Sequence, residues 1–136
     1  MKYFLRSAEP AGEAAAPYES VVKLEARAYP GVRFAVQRMS FGRRMELSRR
    51  IREISGKAEF LNAGDELRDR IEANLLGGEI DEIYLRWGLV GIEELLIDGE
   101  PATLDSLIER GPEELAREMV DAIKAQCGLT EEERKN

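Results

Sequence analysis

The sequence predicts an α+β fold, with an N-terminal β-hairpin packed on a mainly helical domain of about four helices. Three observations carry this reading. Apolar and polar residues alternate through residues 20–38, on both sides of a Pro-Gly turn. From residue 41 onward, apolar residues recur every three or four positions behind helix-capping residues. The clearest strand pattern precedes the helical sequence, as in α+β rather than alternating α/β chains.

The hairpin comes first. Val22, Leu24, Ala26 and Ala28 alternate with Lys23, Glu25 and Arg27. Val32, Phe34 and Val36 alternate with Arg33, Ala35 and Gln37. Between them, Pro30 suits the first corner of a turn and Gly31 supplies a positive φ at the second. A lone hairpin is marginal in water, so this one must pack on the helices C-terminal to it.

Ser40 is the expected N-cap of a helix over 41–55, with Phe41, Met45, Leu47, Ile51 and Ile54 as its apolar positions and Gly56 as its end. A second helix is expected over 65–87. It carries Leu67, Ile71 and Leu75, then Leu76, Ile80, Ile83, Tyr84 and Trp87, and runs through Gly77-Gly78 without a break. Residues 88–102 read as an irregular connection with extended pieces, turning at Asp98-Gly99. Thr103 opens a short helix to 110. Pro112, Glu113 and Glu114 open a last helix to 127, with its acids beside the positive end of the dipole. Thr130 and Glu133 form a capping-box pattern for one more turn.

Residues 1–19 stand apart. Lys2 to Arg6 has the makings of a short strand, and the Ala/Pro/Gly-rich stretch after it lacks large apolar groups, which reads as an arm. The remainder, 20–136, reads as one domain.

Composition narrows the function classes. The chain has 136 residues, 43% of them apolar and 35% charged, with a net charge of −7. That balance belongs to a folded chain with a charged surface and makes nucleic acid an unfavoured partner overall. There is no histidine and a single cysteine, Cys127, so the commonest proton shuttle and zinc ligand is missing and no internal disulfide can form. Cys127 lies on the apolar side of its helix and reads as a small core residue. No apolar run reaches the length of a signal peptide core or a membrane span, so the expected location is cytoplasmic.

No residue pattern points to catalysis. The acidic pairs Glu93-Glu94 and Glu113-Glu114 are adjacent in sequence, so their carboxylates diverge. Gly77-Gly78 and Gly88-x-x-Gly91 lack the strand, helix and following Lys of a phosphate loop. Asp98-Gly99-Glu100 lacks the further oxygen ligands of a calcium loop. The chain is read as no enzyme, with no cofactor or metal.

The charge is instead lopsided. Residues 38–57 hold seven basic residues (Arg38, Arg43, Arg44, Arg49, Arg50, Arg52, Lys57) against Glu46 and Glu53. Residues 93–136 hold thirteen acids against five bases. The basic helix fits three roles: an ordinary wet face, a dock for an acidic or helical protein, or a phosphate contact. The candidate partner-binding set is Phe41, Arg43, Arg44, Met45, Arg49, Arg50, Arg52 and Trp87. Core packing is the competing reading of its aromatic members.

The C-terminal third carries a resemblance. Trp87-Gly88-Leu89-Val90-Gly91-Ile92 leads to Ile97-Asp98-Gly99-Glu100-Pro101, then to a short helix, Pro112 and a terminal Glu133-Arg134-Lys135-Asn136. Met39-Ser40-Phe41-Gly42-Arg43-Arg44 precedes it. Over residues 38–136 the chain resembles the tail assembly chaperones of long-tailed bacteriophages and prophages. The resemblance implies a non-catalytic protein that binds the tape measure protein, keeps it soluble and helps tail tube protein polymerise around it. It also implies the host cytoplasm as location and absence from the mature virion. A nucleic-acid-binding regulator acting through 38–57 and a structural subunit of the tail are the competing functions. A homo-oligomer is left open.

Overall fold

The computed structural model describes residues 15–62 and 66–128, with side chains except those of 53, 55 and 58–62. It is α+β, as the residue pattern predicts. β1 (Val21–Glu25) and β2 (Arg33–Gln37) form the hairpin, and β3 (Leu89–Glu93) adds to the far side of β2. All three run antiparallel, in the order β1-β2-β3. β4 (Leu96–Ile97) and β5 (Glu100–Pro101) make a second, two-stranded sheet. The helices are α1 (Phe41–Asn62), α2 (Leu67–Gly88), α3 (Leu104–Arg110) and α4 (Glu113–Gln126).

The hairpin turn is built as its residues dictate. Val32 donates its N–H to the Tyr29 carbonyl across Pro30 and Gly31, and Gly31 takes φ +95°. α4 locks this corner from outside the sheet. The Glu118 carboxylate accepts the backbone N–H groups of Arg27 at 2.7 Å and Ala28 at 2.9 Å. Two donors that the ladder leaves over are thereby satisfied by one side chain.

Val32, Phe34 and Val36 point to one face of the sheet and are buried, while Arg33 is exposed. That face meets α4, whose Leu115, Met119 and Ile123 are fully buried, as is Leu107 of α3. Gly88 ends α2 against the same point. A Cβ there would stand 2.5 Å from Ile123 Cγ2, so only glycine allows the helices to come this close.

Three boundaries differ from the sequence expectation. α1 does not stop at Gly56 but continues to Asn62. The helix formers Lys57 to Leu61 and packing along α2 outweigh the roughly 1 kcal/mol cost of one glycine. α2 opens at Leu67 rather than 65, with Glu66 as an N-cap that makes no side-chain cap bond. The stretch 88–102 has its expected extended pieces and its turn at Asp98-Gly99, but as the paired strands β3, β4 and β5 rather than as an irregular connection. Its first part is masked in the sequence by a bulge: Ala35 pairs with Gly91 but Val36 pairs with Leu89, so Val90 has no partner on β2. The bulge puts Leu89 and Ile92 on the core side three residues apart, which breaks the period of two. Its second part is a two-residue turn, with Asp98 at φ 52° and Gly99 at φ +83°.

Other local features match the residue pattern. α2 runs through Gly77-Gly78 unbroken. Ser40 Oγ accepts the Arg43 N–H at 3.2 Å, and Thr103 caps α3 in a box closed by Ser106. Pro112 is the N-cap of α4 and Gly128 lies just past its end at φ +77°. Cys127 is buried. The expected strand at 2–6 and the capped turn at 130–133 lie outside the described residues.

Candidate partner-binding surface

α1 presents two faces. Leu47 is buried and Ile51 half-buried, on the side that packs against the rest of the molecule. Phe41 and Met45 lie one turn apart on another face. They are 87% and 47% exposed. The five apolar positions read from the sequence thus split: Leu47 and Ile51 face the core, Ile54 is half-buried, and Phe41 and Met45 face out.

The cations around this pair differ in what holds them. Arg44 reaches across to the end of α4 and donates from Nη1 to the Cys127 carbonyl at 3.3 Å. A guanidinium at that spot offsets the negative end of the helix dipole. Arg50 pairs with Glu46 one turn back at 2.9 Å, an exposed i,i+4 contact of little energetic weight. Arg43 is half-buried, and Arg49 and Arg52 are exposed, with no ion pair among the described residues. Just before the helix, Arg38 stacks over the ring of Tyr18 at 5.9 Å, and Tyr18 is itself exposed. Tyr18 is absent from the set read from the sequence, because it stands beside an Ala/Pro-rich stretch with no periodic signal.

Trp87 is not on this surface. It is 6% exposed and belongs to the core, where its carbonyl accepts from Gln37 Nε2 at 3.1 Å. Its Nε1 is buried and has no acceptor among the described residues. Its neighbour Tyr84 is buried too, and burial pushes the phenol up to about 12, with the charges of Cys127 and Asp81 adding to the effect. The Cys127 thiol is also pushed up by burial, against the opposing pull of Arg44 and Lys124. A thiol held neutral is a poor nucleophile.

Lys124 is the one buried charged side chain among the described residues. Its Nζ lies 2.9 Å from Asp81 Oδ1 on α2 and 5.2 Å from the Tyr84 ring centroid. This contact ties α4 to α2. Arg86 ties α2 to α3 by bonding both Glu82 and Asp105, at 2.8 and 3.0 Å. Arg110 ties α3 to the β4–β5 turn through Asp98.

An open groove between β1 and α4 is lined by apolar Leu24, Phe34, Ala122 and Ala125 and by charges of both signs, Arg27 and Arg117 among them with Glu114, Glu118 and Asp121. Glu118 is committed to the hairpin corner. Among the described residues no three His, Cys, Asp or Glu side chains gather as a metal site, and no helix is long and apolar enough to cross a membrane. Compared with protein-family models, curated proteins and solved structures, the chain matches none.

Proposed function

We propose that this protein is a non-catalytic tail assembly chaperone of a bacteriophage or prophage. It works in the host cytoplasm, binds the tape measure protein, and helps tail tube protein assemble around it. The observation that carries the reading is the exposed pair Phe41 and Met45 at the start of the basic helix α1. An aromatic and a flexible thioether beside several arginines is the make-up of a protein-binding hot spot. The arginines suit the carboxylates of an amphipathic helical partner, and the apolar pair suits its hydrophobic side. The tape measure protein as partner is what the resemblance over residues 38–136 implies.

The test is co-expression with a tape measure segment, followed by co-purification at low and moderate salt. Phe41→Ser with Met45→Ser is expected to lose the partner while keeping the far-UV circular dichroism of the parent. Undiminished co-purification of that variant refutes this assignment of the surface. A parallel column of immobilised DNA tests the regulator reading. Salt-sensitive retention that depends on Arg49 and Arg52 would replace the chaperone reading with it.

A further inference from the structure

The end of α4 lies against the start of α1. Arg44 Nη1 donates to the Cys127 carbonyl at 3.3 Å, so the chain leaves α4 beside Arg44. Gly128 follows at φ +77°, the left-handed conformation that turns a chain out of a helix. Leu129, Thr130, Glu131, Glu132, Glu133, Arg134, Lys135 and Asn136 come next in the sequence and lie outside the described residues.

Helical geometry sets out what lies within reach of that segment. Phe41, Met45, Arg49 and Arg52 are spaced by four, four and three positions, which puts them on one face of α1. All four are exposed. Arg44 stands between this face and the side that carries buried Leu47. Glu46 and Glu53 fall past Arg49, on the border away from Arg44, and Glu46 is paired with Arg50. Arg49 and Arg52 have no ion pair among the described residues. The side of α1 nearest the end of α4 thus combines two exposed apolar groups with arginines.

We infer that residues 129–133 dock along this face, with Leu129 against Met45 and the carboxylates of Glu131, Glu132 and Glu133 against Arg49 and Arg52. The point of departure fits, because Cys127 is already bonded at the border of the face. The reach fits as well. Glu131 and Glu133 are four and six residues beyond Cys127, a span of up to about 13–20 Å. Arg49 and Arg52 stand about 7.5 and 12 Å along α1 from Arg44. The order of chemistry also agrees. Read away from Cys127, the segment is apolar, then acidic, then basic at Arg134 and Lys135. Read along the face from Met45, α1 is apolar, then basic, then acidic at Glu59, seven positions past Arg52. Opposite signs therefore meet along the whole register.

Each exposed ion pair contributes little by itself. The tether makes the encounter intramolecular, at an effective concentration in the millimolar range. The segment therefore covers the face in a fraction of molecules and is displaced by a partner that offers both carboxylates and a larger apolar surface. This consequence rests on the reading of the face as the partner-binding surface: the segment is then a built-in competitor for it.

Amide NMR of the full chain tests the contact without any partner. Glu131→Gln, Glu132→Gln and Glu133→Gln together are expected to shift the signals of Met45, Arg49 and Arg52. Arg49→Gln with Arg52→Gln is expected to shift those of Glu131 to Glu133. Should the triple variant fail to fold by circular dichroism, Glu132→Gln alone replaces it. Signals over 45–52 that stay in place overturn the inference, as do arginine changes that leave 131–133 unmoved. Titration with a tape measure segment reads the competition. The triple variant is expected to bind about three- to tenfold more tightly than wild type. In the Arg49→Gln, Arg52→Gln background the same three changes are expected to leave affinity unaltered. Equal affinity of wild type and triple variant overturns the competition. A segment that binds neither chain refutes the partner reading instead, and the NMR shifts still decide the contact.

Discussion

Removing each partner of the Lys124–Asp81 pair in turn separates two views of what holds α4 to α2. The Lys124 side chain is 5% exposed and that of Asp81 is 31% exposed, with 2.9 Å between Nζ and Oδ1. At that distance and an effective dielectric near 20, the gross attraction is about 6 kcal/mol. Desolvation of the ammonium cancels much of it, and water at the partly exposed carboxylate screens more. Asp81→Asn keeps the shape and an acceptor but removes the Asp81 charge from beside a buried ammonium, at a cost of about 2 kcal/mol. Lys124→Met keeps the packed stem and leaves behind a carboxylate that already touches water, at a cost below about 1 kcal/mol. The double variant is expected to be no worse than Lys124→Met alone. Urea unfolding at neutral pH, monitored by circular dichroism, measures all three. In thermal unfolding, each kcal/mol corresponds to roughly 3–6 °C for a chain of this size. A Lys124→Met variant as unstable as Asp81→Asn, or an Asp81→Asn variant within about 0.5 kcal/mol of wild type, would refute the reasoning.

Other perturbations read other joints of the fold. Gly88→Ala drives a methyl to 2.5 Å from Ile123 Cγ2 and is expected to cost about 1–3 kcal/mol. Adding Ile123→Ala makes room for it, so the double variant should lose less than the sum of the two single losses in the same denaturation assay. Glu118→Ala strips the acceptor from two backbone N–H groups, and is expected to speed amide exchange at Arg27 and Ala28 and to cost about 1–2 kcal/mol. Stability should also fall at alkaline pH. The Tyr84 phenol titrates at about 12 in the folded chain against 10 when unfolded, so its contribution is complete below pH 10 and lost as pH rises through 12. Cys127, shifted upward as well from 9, extends the loss to lower pH. Tyr84→Phe should flatten the upper part of a pH series of urea midpoints, and an identical alkaline profile for that variant would contradict the burial argument.

Elements whose signals are local are legible in the residues alone. The hairpin, its Pro-Gly corner, the caps at Ser40 and Thr103 and the start at Pro112 all rest on contacts within a few positions. β3 is legible only as an extended piece within 88–102, because the extra residue at Val90 shifts the alternation on which strand reading depends. The end of α1 is not legible, because packing along α2 carries the helix past Gly56. The candidate surface is half legible. The spacing of Phe41 and Met45 places them one turn apart on one face, but it does not tell that this face points outward while that of Trp87 points in. An apolar residue has the same pattern whether the molecule or a partner covers it. Leu67, Ile71 and Leu75 make the same point, since their spacing is that of a core helix and their surroundings are solvent.

The central claim is that α1 grips another polypeptide through the face carrying Phe41 and Met45. Hydrogen–deuterium exchange of the chain, alone and mixed with a tape measure segment, tests it at the level of single peptides. The account predicts slowed exchange over residues 41–52 in the mixture, and none of that slowing in Phe41→Ser with Met45→Ser. An exchange pattern over 41–52 that is the same with and without the segment, under conditions where the two proteins bind, would contradict it.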